Sequence, residues 1–84
     1  MIVVNIKYFA SIREAMGRAE ETLQTSAATL AELRDQLIAR GGVGGGALAR
    51  GEAVRLAVNK IMADESASLL DGCEVAFFPP VTGG

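Results

Sequence analysis

The only two prolines of this 84-residue chain stand side by side at Pro79-Pro80, directly after the apolar run Val75-Ala76-Phe77-Phe78. A proline ring fixes φ and removes the donor that a sheet ladder needs, so a strand over residues 74–78 must stop there. The backbone then leaves the sheet in an extended form, carrying Val81-Thr82-Gly83-Gly84 outward. From Pro80 to Gly84 such a tail reaches roughly 13 to 14 Å, enough to enter a cleft in a second protein. Glycine suits that entry, because without a Cβ it passes a narrow channel and leaves the terminal carbonyl open to attack. The alternative is a frayed terminus whose glycines have no role. The Phe77-Phe78-Pro79-Pro80-Val81-Thr82 stem favours the projecting, functional tail.

The rest of the chain supplies the sheet that such a strand must join. Residues 2–8 alternate, with Ile2, Val4, Ile6 and Tyr8 on one face and Val3, Asn5 and Lys7 on the other, the pattern of a half-buried strand. A short helix over 9–16 follows, with Ser11 available as its cap and Gly17 as its stop. Residues 20–25 return as a weakly alternating strand, close enough in sequence to pair antiparallel with the first. The clearest helix starts at Thr29, three residues before Glu32, the spacing of a reciprocal capping box, and ends near Gly41. Its stripe of Leu30, Leu33, Leu37 and Ile38 faces the core, with Glu32, Arg34, Asp35 and Gln36 toward water. The run Gly41–Gly46 follows a helix and lacks the lysine of a phosphate-binding loop, and it reads as a flexible linker. A strand over 54–58, a turn at Asn59-Lys60, a short strand from Ile61 and a turn at Asp71-Gly72 complete the pattern. In the last strand Val75 and Phe77 cover the helix. Phe78 then points outward at the root of the tail, as an interface anchor or as one ordinary exposed aromatic.

Composition removes most chemistry from the chain itself. There is no histidine and one cysteine, Cys73, so disulfide frameworks, Cys-rich or HExxH metal sites and Ser/His/Asp sets are excluded, and no metal is expected. Cys73 is either a nucleophile or persulfide carrier, or a small apolar filler beside a turn, the commoner case. Eight basic against ten acidic residues leave no basic run for a nucleic-acid backbone. The opening run over residues 1–9 is too short, and too interrupted by Asn5 and Lys7, for a signal peptide or a membrane span, which leads us to expect a cytoplasmic protein without membrane contact. Residues 1–84 are expected to form one domain, with 79–84 as its projecting tail.

Strand, strand, helix, strand, short strand, strand is the element order of a β-grasp domain, an α+β fold with a mixed sheet of about five strands covered by one main helix. Tyr8-Phe9-Ala10 followed by Arg13-Glu14, Val58-Asn59, and Leu69-Leu70-Asp71-Gly72 ahead of the segment EVAFFPPVTGG resemble the small subunit of molybdopterin synthase, a ubiquitin-like sulfur carrier. Two departures are visible: Cys73 stands where the family usually has an acidic residue, and the Gly41–Gly46 loop is longer and richer in glycine. The resemblance implies that Gly84 is adenylated with ATP by a ubiquitin-activating-like adenylyltransferase and converted to a thiocarboxylate by a persulfide sulfur donor. It implies further that the carrier gives that sulfur to a cyclic pyranopterin phosphate in the large synthase subunit, within a heterotetramer, with no permanently bound cofactor and no catalytic residue of its own. Pro79, Pro80, Val81, Thr82 and Gly83 would thread the partner's channel, and Phe78 with Phe9 and Met62 would form the docking patch. Rival readings are a related β-grasp carrier for thiamine, tungsten cofactor or amino-acid biosynthesis, a ubiquitin-like protein modifier, and a plain binding module.

Overall fold

Alternation in the first segment becomes a central strand, and the later strands assemble around it. The computed structural model describes residues 1–80. Strand β1 (Ile2–Tyr8) is followed by helix α1 (Ala10–Met16), strand β2 (Glu20–Thr25), helices α2 (Leu30–Ala39) and α3 (Gly42–Ala47), then β3 (Arg55–Val58), β4 (Ile61–Ala63) and β5 (Glu74–Phe78). The strands form one sheet in the order β2-β1-β5-β3-β4. β1 and β5 run parallel at its centre, with Tyr8 opposite Phe77, and the other pairs are antiparallel. The expected α+β, β-grasp architecture is thus present.

One face of the sheet carries the core. Val4, Ile6, Tyr8, Leu56, Val75 and Phe77 pack against Ile12 of α1 and Leu30, Leu33 and Leu37 of α2, and the rings of Tyr8 and Phe77 stack 6.1 Å apart. Cys73 lies in this core, 4% exposed, in the filler role. Thr29 caps α2 by accepting from the Glu32 N–H, and the Glu32 carboxylate accepts from the Ala28 N–H, one residue earlier than an ideal capping box. Ser11 does not cap α1. Phe9 holds the N-cap position without a side-chain bond, and Ala10 turns the chain at a φ of 51°. Among the described residues no helix is long and apolar enough to cross a membrane.

Two expectations fail together. Gly41–Gly46 is no linker, since residues 42–47 form α3, entered through left-handed Gly41 and Gly42. Its bare backbone lies so close to α2 that a Cβ on Gly45 would sit 2.8 Å from the Ile38 carbonyl oxygen. Leu48 then plugs the core at 0% exposure. Arg34, expected in water, is 6% exposed and folds over the end of α3. Its Nε donates to the Leu48 carbonyl at 2.7 Å, and its Nη2 donates to those of Ala49 and Glu52 at 2.9 and 3.2 Å. The guanidinium thus satisfies the carbonyls of the C-cap and the turn that follow α3 and puts a cation at that helix's C-terminal end, so glycine's poor propensity is offset by packing and by charge-assisted bonds.

A second ionic clasp joins the sheet edge to the end of α2. The Tyr8 hydroxyl donates to Glu21 at 2.7 Å, and Arg40 donates to both oxygens of the same carboxylate at 2.9 and 2.8 Å. Burial, then the carboxylate beside it, pushes the Tyr8 hydroxyl up, so it stays a donor. The Arg40 hydrogen bonds hold Glu21 down at about 2 from its ordinary 4.5, against the opposing effect of burial. A depressed carboxyl stabilises the fold above its unfolded value and loses that contribution as the pH falls toward the folded one. Urea titrations of the protein and of Glu21→Gln are therefore expected to differ by a constant margin at neutral pH and to converge between about 4.5 and 2. A margin that persists undiminished at the acid end would refute the clasp.

Candidate functional site

The face of the sheet opposite the helices is where the tail begins. Strand parity puts Phe78, Ala76 and Glu74 of β5 on that face, in register with Arg55 and Ala57 of β3, and Ala57 pairs onward with Met62 of β4. Phe9, leaving β1 beside them, donates its N–H to the Phe77 carbonyl, and its ring meets Phe78 edge-on with centroids 6.2 Å apart. Phe9 is 47% and Met62 56% exposed. The three docking candidates thus share one surface at the C-terminal end of β5, with Phe9 and Phe78 in contact and Met62 one row away across β3.

The two halves of this face differ in chemistry. Toward β4 it is mainly apolar, with Ala76, Ala57, Met62 and Phe78 around the cation Arg55, and Phe9 joins Phe78 from the end of β1. Toward β2 it is polar, with Lys7 and Glu74 paired at 3.4 Å and Thr22 donating to Asn5 at 3.1 Å. An aromatic and methionine strip rimmed by polar groups is the ordinary anatomy of a protein-docking surface. Pro79 and Pro80 continue from its edge, both half-buried. Val81, Thr82, Gly83 and Gly84, predicted to carry the chemistry and thread a channel, lie outside the described residues. Among the described residues no cluster of His, Cys, Asp and Glu could hold a metal ion. Sequence reasoning missed Arg55, which stands opposite Phe78. No local signal marked it, because only the long-range pairing of β3 with β5 sets it across from Phe78.

Helices packed on one face of a mixed sheet, with the first and last strands parallel at its centre, make a β-grasp domain of the ubiquitin-like class. The chain belongs to the ThiS family, whose sequence profile matches residues 6–84. It is 34% identical over 82 residues to the molybdopterin synthase sulfur carrier subunit of Haemophilus influenzae, covering 98% of this chain and all of that one. Its fold is similar to a putative molybdopterin converting factor subunit 1 from Pyrococcus furiosus, with a TM-score of 0.80 and 27% identity over 96% of this chain and all of that one. It is also similar to a chain in a complex of subunits 1 and 2 of the molybdopterin-converting factor from Helicobacter pylori, with a TM-score of 0.69, 26% identity, and coverage of 99% and 100%.

Proposed function

We propose that this chain is the sulfur-carrier subunit of a cytoplasmic molybdopterin synthase, and that Gly84 bears the sulfur. The observation that carries the reading is full-length similarity to named sulfur-carrier subunits, joined to a fold that leads its last central strand into a two-proline stem beside a bare apolar strip. A carboxylate resists nucleophiles because of its charge. An activating enzyme joins the Gly84 carboxylate to the α-phosphate of ATP and releases pyrophosphate, which removes that charge and installs a leaving group. The terminal sulfur of a donor persulfide attacks the acyl carbon and AMP departs. A further thiol then cleaves the sulfur–sulfur bond, which leaves the thiocarboxylate and a disulfide. Inserted into the large subunit, the thiocarboxylate sulfur attacks a side-chain carbon of the cyclic pyranopterin phosphate and displaces an oxygen from it, and water then cleaves the resulting thioester, which restores the Gly84 carboxylate and leaves the sulfur on the pterin. Two loaded carriers in succession supply two sulfurs.

The roles divide by position. Phe78, Phe9 and Met62 give the docking strip, and Pro79 and Pro80 hold the approach extended at low ordering entropy. Val81, Thr82 and Gly83 thread the channel, while the large subunit supplies acid and base groups. The absence of histidine from the chain supports that division. Incubation with activating enzyme, ATP and a sulfur source is expected to replace one oxygen of the protein by sulfur, as read by intact mass. Fragmentation must place the change on Gly84, because oxidation of Cys73 or a methionine gives a similar increment. An unchanged mass, or a sulfur located elsewhere, would refute the proposal.

A further inference from the structure

The docking strip contains one charge whose place the function above leaves unexplained. Arg55 opens β3 on the outward face, directly across from Phe78, and is exposed. With Met62 and Pro80 it lines a groove at the tail root, whose other side holds Asp64 and Glu65. Those two acids are engaged elsewhere. Asp64 accepts from the N–H and hydroxyl of Ser66, and Glu65 is paired with Arg34 and Arg50. Lys7, Arg18, Arg34, Arg40 and Arg50 each have a carboxylate partner. Among the described residues Arg55, like Arg13 on α1 and Lys60 in the β3 to β4 turn, has none, and of these three Arg55 is the one that stands opposite Phe78.

An unpaired guanidinium between Phe78 and Met62 has a consequence once a partner covers both. The apolar side chains cannot be buried without taking the cation's surroundings out of water, and a desolvated charge is tolerated only when paired. The arginine stem can lie along the apolar surface while its planar fork donates two parallel bonds to one carboxylate. We propose that Arg55 is a recognition residue for the large synthase subunit, which meets it with a carboxylate at the mouth of the channel that receives the tail. This rests on the carrier reading above. Continuity with the docking strip and the single unspent cation on it identify the occupant's chemistry: an apolar cleft for Phe78 and Met62 with an acidic side chain on its lip. The pair steers association and sets the depth to which the tail enters.

The test is binding of the full-length protein to its large subunit, measured as rates at low and at physiological ionic strength. Arg55→Glu is expected to weaken binding on the order of tenfold or more, chiefly at low salt. Arg55→Met keeps the stem and should lose most of the salt dependence with a smaller loss of affinity. Lys60→Gln, at the other end of the β3 to β4 hairpin, should bind as the parent does. Thermal unfolding of each variant confirms that it is folded. Equal affinity and equal salt dependence of parent, Arg55→Glu and Arg55→Met would overturn the assignment while leaving the carrier function in place. So would a defect confined to the activating enzyme. Failure of the parent itself to bind the large subunit would overturn the carrier reading and this one with it.

Discussion

A protein lacking Gly84 is expected to lose sulfur transfer almost completely while keeping its fold and its affinity for the large subunit. The new terminus, Gly83, carries a carboxylate of the same chemistry, so the loss comes from reach alone. One residue of extended chain spans roughly 3.3 to 3.6 Å. Reacting atoms must approach to about 3 to 3.5 Å, and a misplacement of only about 1 Å can slow a reaction about a hundredfold. On the proposed mechanism the shortened tail would fall short of both the adenylating site and the pterin by a full bond-forming distance. The fold should not notice, because the buried cluster is built from residues between Val4 and Phe77. Turnover with the loaded partner system should fall by a factor of about a hundred or more. Turnover within tenfold of the parent would show that the last glycine is not the acceptor.

Replacing Arg34 by leucine is expected to produce the largest loss of stability of any single change outside the aliphatic core. The side chain is nearly inaccessible and donates to the carbonyls of Leu48, Ala49 and Glu52. Leucine fills much of the volume but leaves those acceptors without partners and removes the cation from the end of α3. A hydrogen bond from a charged donor is worth about 1.5 to 3 kcal/mol, and three carbonyls lose theirs together here, so a loss of about 3 kcal/mol or more is expected. For a domain of this length about 1 kcal/mol corresponds to roughly 4 to 8 °C in Tm, so a fall of more than about 12 °C is expected. Amide exchange should rise first in residues 42–48, where glycine-rich α3 has little intrinsic stability of its own. A shift of a few degrees, with unchanged exchange in that segment, would show that Leu48 and the close glycine packing suffice to hold it. Arg34→Lys should recover only part of the loss, since one ammonium cannot reproduce the guanidinium's spread of donors.

What the sequence disclosed and what it hid follow from the range of each signal. The alternation of Ile2, Val4, Ile6 and Tyr8, the Thr29 and Glu32 cap, and the Asp71-Gly72 turn are local, and each appears where expected. Phe78 follows from strand parity while Phe9 and Met62 came with the resemblance, and register places the three on one face. α3 was hidden because a glycine run states only what its backbone is free to do. That the freedom is used to lie against Ile38 is a tertiary fact. Arg34 was misread because residue type was weighed above position. It lies four residues after Leu30 and three before Leu37, on the stripe that periodicity assigns to the interior. Arg55 carries no local mark at all, and only the pairing of β3 with β5 places it against the tail root.

The tail leaves from a strand with a neighbour on each side, β1 and β3. Tension on it, as when a spent end is drawn back out of a tight passage, runs along β5 and loads both ladders in shear. Many bonds must then yield at once, whereas an edge strand would peel away one bond at a time. On the proposed function the molecule can thus be tugged repeatedly by its C-terminal end without coming apart, which would suit an object emptied, recharged and used again.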